Sequence, residues 1–541
     1  MKEEEQQQQN ERPLFAVGMI ADIQYAPVPD GFSFSGNPRY YRHALVATKR
    51  AFQTFRNYNT SNDTDGDTDD IVGGVDLVVN LGDIIDGKCQ EIERNGGEPP
   101  PLALALALAT QKGETNNRHH PGMMSLLEVE SAMEPFSSLN DNDTNASTNA
   151  NANNHFDNNN NHDNNVDNNN GKNKNAGTTT TTTNNNNNNN NTNNDPPRTT
   201  KQQPKQKQRP ILHSYGNHCL YNLNRTELRE KLGIPFRIEH KDSPPPTGRG
   251  TICDLINNNN NNMHNMHTSS NDSENDNNAN DAAATDTTST ARSAAAIGDN
   301  DGDLVGYYSH VHPPQQQQHP QCPTNDGNGN TSSIKFVVLD GYDVCLMRRC
   351  PQQSSKRKAA VEILQRENGT NYRKGNGNEN SPEGLEGLQK RFVAFNGAVG
   401  PAQLQWLRHE LEATRQLNNN NSSSSSGNRH DQKVIVLSHQ PIHPESSNPV
   451  CLIWNYDRVL GVLREYSDVV VASFAGHAHR GGYARDGCSG IHFRVVEAVL
   501  ESEPPTATFG VLEVYRDRLV LRGHGDCESA VYEYEHDRTN T

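Results

Sequence analysis

The sequence has few apolar residues and very few aromatic ones, and this scarcity limits how much of it can fold. Only 31% of its 541 residues are hydrophobic and 6% are aromatic, and the mean hydropathy is −0.91. Long tracts consist almost entirely of Asn, Thr, Gln or Ser, which bury too little apolar surface to offset the entropy lost on ordering. A large part of the chain is therefore predicted to be unfolded.

The chain also lacks a surplus of basic residues and a long apolar run. Its formal charge of −17 argues against sequence-independent nucleic-acid binding, which needs clustered Lys and Arg. The longest simple apolar run, "LALALALA" at 102–109, is far shorter than the roughly 20 residues that span a bilayer. The first residues, "MKEEEQQQQNERP", are polar and acidic and lack the apolar core of a secretory signal. These features predict a cytoplasmic protein with no nucleic-acid and no membrane partner.

Paired cysteine motifs are missing as well. The nine cysteines are scattered, odd in number and never spaced C-x-x-C, which argues against a disulfide framework and a thiolate zinc site. The thiols are expected to be reduced.

Segments with regular apolar patterns alternate with the low-complexity tracts. The first, from 14 to about 92, reads as strand, helix, strand, and a later segment from Pro401 reads as a helix that opens with proline. These segments sum to roughly 250 residues, enough for one α/β domain with a full core. The prediction is a single domain over 14–527, with low-complexity insertions at 94–208, 242–332 and 418–430. Within the second insertion, "LVGYYSHVH" is expected to form a short strand that returns to the fold.

Polar side chains follow five of the apolar strands, at the points where the strands end. In open α/β sheets ligands bind at the carboxyl ends of the strands. These side chains are therefore candidates for one site: Asp22, Gln24, Asp83, Asn217, His218, His439, His477 and His479.

Each signal is modest when taken alone. Asp86, in "NLGDIIDG", is suited either to bond the nearby backbone or to hold a ligand. His439 and His443, in "VIVLSHQPIHP", compete for one role. The pair His477 and His479 is the strongest signal, because two imidazoles at i, i+2 after a buried strand form half of a recognisable metal site.

His218 is a candidate proton or hydrogen-bond donor rather than a ligand. The other seven side chains provide oxygen and nitrogen ligands but no sulfur. Such a set suits Mn²⁺ or Fe, with Zn²⁺ possible, better than Ca²⁺. Seven ligands exceed the needs of one ion, and two ions about 3.5–4 Å apart with Asp83 between them would use them all. The chemistry typical of such a pair is hydrolysis of a phosphoester or phosphoanhydride.

The motifs D-x-Q, GD-x-x-D-G, GNH, a strand-end His and GH-x-H occur in this order along the chain. In kind and order they resemble those of the calcineurin-like metallophosphoesterase superfamily. More narrowly, "IADIQYAPVPDGFSFSGNPRYYRHAL", "GNHCLYNL", "FNGAVGPAQLQWL" and "GHAHRGGY" resemble the manganese-dependent ADP-ribose/CDP-alcohol diphosphatases. In that branch Gln stands where most of the superfamily carries His, which accounts for Gln24. The resemblance implies an α/β fold, a four-layer sandwich of two mixed β-sheets flanked by helices.

The resemblance also implies roles for individual residues. One Mn²⁺ would be held by Asp22, Gln24, Asp83 and His479, and the other by Asp83, Asn217, His439 and His477. His218 would act on the attacked phosphate or the leaving group, and Phe34 would contact the substrate.

The implied substrates are small nucleotide diphosphate compounds: ADP-ribose, CDP-choline, CDP-ethanolamine and CDP-glycerol. One departure is Cys219, since many relatives carry an acidic residue there, and a carboxylate at this position would orient His218. Three alternatives stay open: a phosphoprotein phosphatase, a cyclic-nucleotide phosphodiesterase, and a catalytically impaired Asn-rich interaction module.

Overall fold

The structure, a computed structural model, describes the parts of the chain that carry the predicted strands and helices. All of them lie in one compact unit, within residues 1–144 and 208–541. The described residues are 12–33, 36–59, 74–89, 121–134, 136–138, 209–235, 237–238, 304–312, 331–347, 354–422 and 430–534.

The described residues form two larger sheets, three two-stranded pairs and eight α-helices. The strands are β1 (Phe15–Ile20), β2 (Gly31–Phe32), β3 (Pro38–Arg39), β4 (Leu77–Asn80), β5 (Phe136–Ser138), β6 (Arg209–His213), β7 (Arg237–Ile238), β8 (Leu304–Val305), β9 (Tyr308–His312), β10 (Thr331–Val338), β11 (Val344–Cys345), β12 (Gly397–Ala398), β13 (His430–Leu437), β14 (Val470–Ala475), β15 (Gly482–Arg485), β16 (His492–Val495), β17 (Phe509–Val514), β18 (Arg518–His524) and β19 (Ala530–Glu533). The helices are α1 (Tyr41–Asn57), α2 (Pro121–Met133), α3 (Asn217–Asn222), α4 (Arg225–Leu232), α5 (Ser355–Glu367), α6 (Gly369–Lys374), α7 (Pro401–Ser422) and α8 (Tyr456–Glu465).

The first sheet has seven strands in the order β19-β18-β17-β1-β4-β6-β5. Its β5-β6-β4-β1 half is parallel, and β1 pairs with β17 in antiparallel fashion. All six residues of β1, "FAVGMI", are buried, as expected for a parallel strand covered on both faces.

The second sheet has six strands in the order β15-β16-β14-β13-β10-β9. Its central strands β10, β13, β14 and β16 are parallel, and the two edge strands are antiparallel to their neighbours. The predicted strand in 304–312 is confirmed as β8 and β9, and β9 forms one edge of this sheet.

Alternate residues of the second sheet face two different cores, and this defines the layers. Phe336 and Val338 of β10 belong to a core that also contains β1, β4 and helix α1. Val337 of β10 and Val434 of β13 belong to a second core with residues of helices α5, α7 and α8. Because side chains alternate across a strand, the order of layers is helix, sheet, sheet, helix. The predicted four-layer sandwich is confirmed.

The parallel strands point their carboxyl ends toward the same edge of each sheet, and the candidate site residues follow these ends. The first sheet provides the loops after β1, β4 and β6, and the second provides the loops after β10, β13 and β14. The site is thus assembled from both sheets, as the general rule for α/β sheets predicts.

Three features of the fold differ from the predicted domain limits. Helix α2 and strand β5 lie inside the segment 94–208 that was assigned to a low-complexity insertion, and α2 packs against α1. Helix α7 extends to Ser422, into the segment 418–430. Strand β19 lies beyond residue 527 and pairs with β18, so the folded chain continues past the predicted end of the domain. The remaining residues of the predicted insertions lie mostly outside the described ranges, and their assignment stays a prediction.

Six cysteines fall within the described ranges, and each carries a free thiol: Cys89, Cys219, Cys345, Cys451, Cys488 and Cys527. Among the helices described above, none combines the length and the apolar character needed to cross a bilayer.

Candidate metal centre

The loops that follow β1 and β4 run side by side and bring the first two motifs together. The backbone N–H of Gln24 donates to Asp83 O at 2.8 Å, and the N–H of Tyr25 donates to Ile84 O at 3.1 Å. Asp22 N–H donates to Gly82 O at 3.2 Å. These bonds fix the spacing of the two loops before any side chain is considered.

The backbone at the candidate ligands is held in an unusual conformation. Five non-glycine residues of the described ranges have positive φ, and four of them are candidate ligands: Asp22 (49°), Gln24 (43°), Asp83 (52°) and His477 (66°). Left-handed backbone in non-glycine residues costs on the order of 1–3 kcal/mol each and clusters at functional sites. The surrounding hydrogen bonds must maintain this conformation, which directs the four side chains into one space.

One group of candidate ligands comprises Asp22, Gln24 and His479, with Asp83 beside them. Gln24 Nε2 lies 2.9 Å from His479 Nε2 and 3.1 Å from Asp83 Oδ2, and His479 Nε2 lies 3.5 Å from Asp22 Oδ1. The amide nitrogen of Gln24 faces these groups, so binding of a cation through its oxygen requires a half-turn of the amide. Such a turn only exchanges two atoms of nearly equal size.

A second group of candidate ligands also contacts Asp83. His439 Nε2 is 3.3 Å from Asp83 Oδ2, and the rings of His439 and His477 are 4.9 Å apart. One ligand atom from each of these three residues lies within 4.8 Å of the others. Asn217 begins helix α3, and the backbone N–H of the next residue, His218, donates to Asp83 Oδ1 at 2.8 Å. Asp83 therefore lies between two groups of nitrogen and oxygen ligands.

Each of the three candidate histidine ligands makes a hydrogen bond with one ring nitrogen directed away from the site. The acceptors are Leu81 O for His439 Nδ1 (2.7 Å), Asn396 Oδ1 for His477 Nε2 (2.9 Å) and Glu501 Oε1 for His479 Nδ1 (2.8 Å). Such bonds fix the tautomer and leave the opposite nitrogen with a lone pair for a metal. Sequence reasoning missed both partners. Asn396 lies in the quoted segment "FNGAVGPAQLQWL" but was given no role, and Glu501 lies in none of the quoted motifs.

The two buried carboxylates are held in the ionised form. Burial raises the pKa of Asp83, but the charges of His439 and His218 outweigh it, so the pKa lies well below its usual range. Burial likewise opposes ionisation of Asp22, yet the hydrogen bond with His479 and the charge of His439 keep its pKa below the ordinary value. Ionised carboxylates are the form that binds divalent cations.

The imidazoles have divergent proton affinities. Burial and the neighbouring His439 lower the pKa of His477 to about 3, so His477 is neutral at pH 7 and able to bind a metal. Burial also lowers the pKa of His479, but hydrogen bonds to Asp22 and Glu501 outweigh this and raise it to about 9. Metal binding at His479 Nε2 would therefore release a proton.

Two buried ligand atoms fit a cation better than they fit the protein around them. Asp22 Oδ1 and His439 Nε2 are buried and make no hydrogen bond of normal geometry among the described residues. Their nearest polar neighbours are His479 Nε2 at 3.5 Å and Asp83 Oδ2 at 3.3 Å. Unsatisfied buried polar atoms are rare and need an explanation. A carboxylate oxygen and an imidazole nitrogen, one from each group of candidate ligands around Asp83, suit a pair of divalent ions, so the residues present fit a dinuclear metal centre.

His218 lies beside the ligands and is oriented by Asp86. The Oδ2 atom of Asp86 lies 3.0 Å from His218 Nδ1, and the backbone nitrogen of Gly87 lies 3.2 Å from the same atom. In the tautomer with a proton on Nδ1, that nitrogen donates to the Asp86 carboxylate and cannot accept from Gly87. Both contacts involve Nδ1, which leaves Nε2 of this partly exposed ring for a substrate. Arg39 adds a positive charge, with Nη1 3.7 Å from Asp86 Oδ2 and 3.5 Å from Gln24 Oε1.

Cys219 does not stand at the position from which a carboxylate would orient His218. Its side chain is buried, and its Sγ accepts a hydrogen bond from Ile84 N–H at 3.1 Å. The orienting carboxylate is supplied instead by Asp86. An acidic residue missing at position 219 predicts either lower activity or a substitute carboxylate, and Asp86 is in position to be that substitute.

The substitution Cys219→Glu is expected to destabilise the protein without raising turnover. It would bury a carboxylate near Asp83, and an uncompensated buried charge costs about 3–5 kcal/mol. Cys219→Ser, which keeps an acceptor for Ile84 N–H, is the matched control and should retain activity. Thermal unfolding and Mn²⁺-dependent turnover of both variants check this, and a faster, equally stable Cys219→Glu enzyme would contradict it.

Of the two competing histidines, His439 lies at the site and His443 does not. His443 Nε2 is 3.4 Å from Asp486 Oδ1, and its ring packs on Phe493 with centroids 5.0 Å apart. Phe34, the predicted substrate contact, lies outside the described residues.

Comparison with known proteins supports the fold and the relationship. A crystal structure of a dimetal phosphatase from Danio rerio superposes on this chain with a TM-score of 0.51 and 22% sequence identity. The alignment covers 97% of this chain and all of that structure. No family model matches the chain. The chain therefore has the same fold as this dimetal phosphatase.

Several proteins related in sequence share one name. A protein named manganese-dependent ADP-ribose/CDP-alcohol diphosphatase from Arabidopsis thaliana is 26% identical over 522 residues, which is 96% of this chain and 98% of the relative. The rice protein of the same name is 27% identical over 94% of this chain and 91% of its own length. The human protein of that name is 34% identical over 205 residues, 38% of this chain and 53% of the relative. The chain thus aligns over more than nine-tenths of its length with plant proteins that carry this name, and the resemblance predicted from its motifs is confirmed.

Proposed function

We propose that this chain is a Mn²⁺-dependent hydrolase that cleaves the diphosphate bond of ADP-ribose and of CDP-alcohols. The products are a nucleoside monophosphate and a phosphorylated second product, AMP and ribose 5-phosphate in the case of ADP-ribose. The observation that carries the proposal is the position of Asp83 between two groups of ligands, one of which contains Gln24 and His479 at 2.9 Å. The names of the full-length plant relatives support the substrate class.

One Mn²⁺ is assigned to Asp22, Gln24, Asp83 and His479, and the other to Asp83, Asn217, His439 and His477. The contacts of Asp83 support this division, because His479 belongs to one group, His439 and His477 belong to the other, and both groups contact the Asp83 carboxylate. The absence of sulfur from both groups favours Mn²⁺, with Fe and Zn²⁺ as the alternatives.

A pair of divalent ions supplies, when bound, a nucleophile from water at neutral pH and positive charge against the phosphate oxygens. The chain's own residues bind and orient the substrate. His218 directs Nε2 toward the substrate side, where it stabilises developing charge or gives a proton to the leaving oxygen. Asp86 holds the His218 ring, and the guanidinium of Arg39 is placed to bind a phosphate oxygen. Phe34 is proposed to contact the substrate, at its base or at a phosphate.

A substrate panel tests the proposal. Purified protein with Mn²⁺ is expected to release AMP from ADP-ribose and CMP from CDP-choline, CDP-ethanolamine and CDP-glycerol. EDTA should abolish the release, and added Mn²⁺ should restore it. His218→Gln serves as the control that keeps the ligands but removes the proton donor, and it should be strongly impaired in the same assay.

Two results would contradict the proposal. Absence of AMP and CMP in the presence of Mn²⁺ would exclude the diphosphatase. Hydrolysis of a phosphoprotein or a cyclic nucleotide without these products would favour the phosphatase or phosphodiesterase alternative. The alternative of a catalytically impaired interaction module is not favoured, since the position of Asp86 beside His218 removes the argument from Cys219 and leaves only the argument from the low-complexity tracts. A cytoplasmic location and the absence of nucleic-acid and membrane partners stay predictions of the sequence.

A further inference from the structure

Tyr342 connects the two halves of the candidate metal centre. It lies in the loop after β10 of the second sheet, whereas Asn217 follows β6 of the first sheet. Its hydroxyl donates a hydrogen bond to Asn217 Oδ1 at 3.1 Å. The side chain of Tyr342 is fully buried, and its ring centroid is 5.9 Å from that of His439. A single phenol thus contacts one candidate ligand from each sheet.

The backbone of Tyr342 is fixed by an ion pair that also anchors the Asn217 segment. Tyr342 N–H donates to Asp340 Oδ1 at 3.0 Å, and Arg225 Nη2 donates to Tyr342 O at 2.7 Å. Arg225 and Asp340 form a buried ion pair. Because Arg225 begins α4, immediately after the helix that starts at Asn217, both ends of the Tyr342 to Asn217 hydrogen bond are held by the same pair.

The loop around Tyr342 has little freedom to move away. Asp340 N–H donates to Gln403 Oε1 at 2.9 Å, and Gln403 Nε2 donates back to Asp340 O at 3.0 Å. Gln403 lies in α7, on the outer face of the second sheet. The phenol is therefore positioned by elements of both sheets and by a helix.

The chemistry of the amide explains why this contact matters. An asparagine side chain has an oxygen end and a nitrogen end, and only the oxygen end binds a hard cation. Because the Tyr342 hydroxyl is a hydrogen-bond donor, the Asn217 amide turns its oxygen toward it. The second lone pair of that oxygen is then left for a metal. Tyr221 also makes a side-chain hydrogen bond with Asn217. Loss of the Tyr342 hydroxyl would therefore remove one of two phenol contacts and weaken the preference of the amide for the oxygen-first orientation.

We propose that Tyr342 is a positioning residue that orients the Asn217 amide for one of the two metal ions and couples the two sheets at the site. This inference rests on the proposed function, because Asn217 is a ligand only if the centre binds two ions. The Arg225–Asp340 pair takes part by holding Tyr342 in register with Asn217.

The test compares Tyr342→Phe with Tyr308→Phe in the full-length protein. Each variant loses one buried, hydrogen-bonded hydroxyl, but the Tyr308 hydroxyl bonds the backbone of His213 (2.9 and 3.0 Å), away from the candidate ligands. Mn²⁺ binding is measured directly, by electron paramagnetic resonance of unbound Mn²⁺ during titration, and turnover is measured against Mn²⁺ concentration.

Wild type should bind two Mn²⁺. Tyr342→Phe should bind one of them about 10–100-fold more weakly, the usual loss when a partner of a metal ligand is removed. The other ion should bind as before, and kcat should recover at high Mn²⁺ with KM for the nucleotide unchanged. Tyr308→Phe should match wild type in both titrations. If Tyr342→Phe does not fold, Arg225→Lys, which keeps the charge but loses the bond to Tyr342 O, should show the same weakening of one ion.

Equal Mn²⁺ affinities for wild type and Tyr342→Phe would overturn the inference and leave the proposed function intact. An equal loss of Mn²⁺ affinity in Tyr342→Phe and Tyr308→Phe would overturn the inference too, because a general loss of stability would then be the cause. A wild-type protein that binds no second Mn²⁺ would defeat the proposed two-ion function itself.

Discussion

Asp83→Asn should reduce Mn²⁺-dependent turnover by more than 100-fold and abolish the binding of at least one ion. Asp83 is the carboxylate that lies between the two groups of ligands, with Gln24 at 3.1 Å and His439 at 3.3 Å. Removal of a partner of a metal ligand already costs about 10–100-fold, so loss of a carboxylate shared by two ions should cost more. Turnover under saturating nucleotide and a titration of bound Mn²⁺ measure the two effects.

The matched control for this substitution is Asp486→Asn. Asp486 is also a buried carboxylate, but it pairs with Arg464 at 2.6 Å and with His443, away from the metal ligands. This variant should lose thermal stability yet bind Mn²⁺ as wild type does. Full activity of Asp83→Asn, or equal loss of Mn²⁺ in both variants, would contradict the assignment of Asp83.

Gly216→Ala should disrupt the site by steric overlap alone. A Cβ at this position would lie 2.0 Å from Asp83 Oδ1 and 2.3 Å from Asp83 N, too close for either to remain in place. The backbone at Gly216, with φ −115° and ψ 158°, is allowed for alanine, so backbone strain does not contribute. We expect a loss of stability of about 1–3 kcal/mol, typical of overpacking, together with a large loss of turnover because Asp83 must move.

Gly461→Ala provides the control for this prediction. Gly461 lies inside α8, and nothing lies within 4 Å of a Cβ built there. Alanine in a helix interior should stabilise the protein by up to about 1 kcal/mol and leave turnover unchanged. Chemical denaturation and Mn²⁺-dependent activity of both variants measure the difference. A Gly216→Ala enzyme with wild-type Mn²⁺ affinity would show that the Asp83 loop is more tolerant than the contacts indicate.

The sequence was informative about the strands because buried parallel strands are almost continuously apolar. The runs at β1, β4, β13 and β14 stand out against a chain that is otherwise poor in apolar residues. Polar residues at their carboxyl ends were therefore identifiable one by one. The contact of Gln24 with His479, 455 positions apart in the chain, agrees with the expectation that the motifs converge.

Helix α2 shows where composition misled the sequence reasoning. It lies between polar tracts and was assigned to an insertion, but the buried Glu128 on this helix accepts a hydrogen bond from the Tyr25 hydroxyl at 2.5 Å. Tyr25 directly follows Gln24, and its backbone O accepts from Asp86 N–H. A short helix between low-complexity tracts carries too weak a periodic signal to reveal that it supports the ligand loops.

The sequence by itself determined the kinds of ligand, their order along the chain and their location at strand ends, because these depend on residue type and on local apolar patterns. Only the tertiary structure decided that His439 and not His443 faces Asp83, that Asp86 orients His218, and that Tyr342 contacts Asn217. These relations join segments from different sheets or depend on side-chain directions in left-handed loops, and neither leaves a periodic trace in the sequence. The physical reason is that ligand identity is a local property, whereas ligand orientation is imposed by hydrogen bonds from residues distant in the chain.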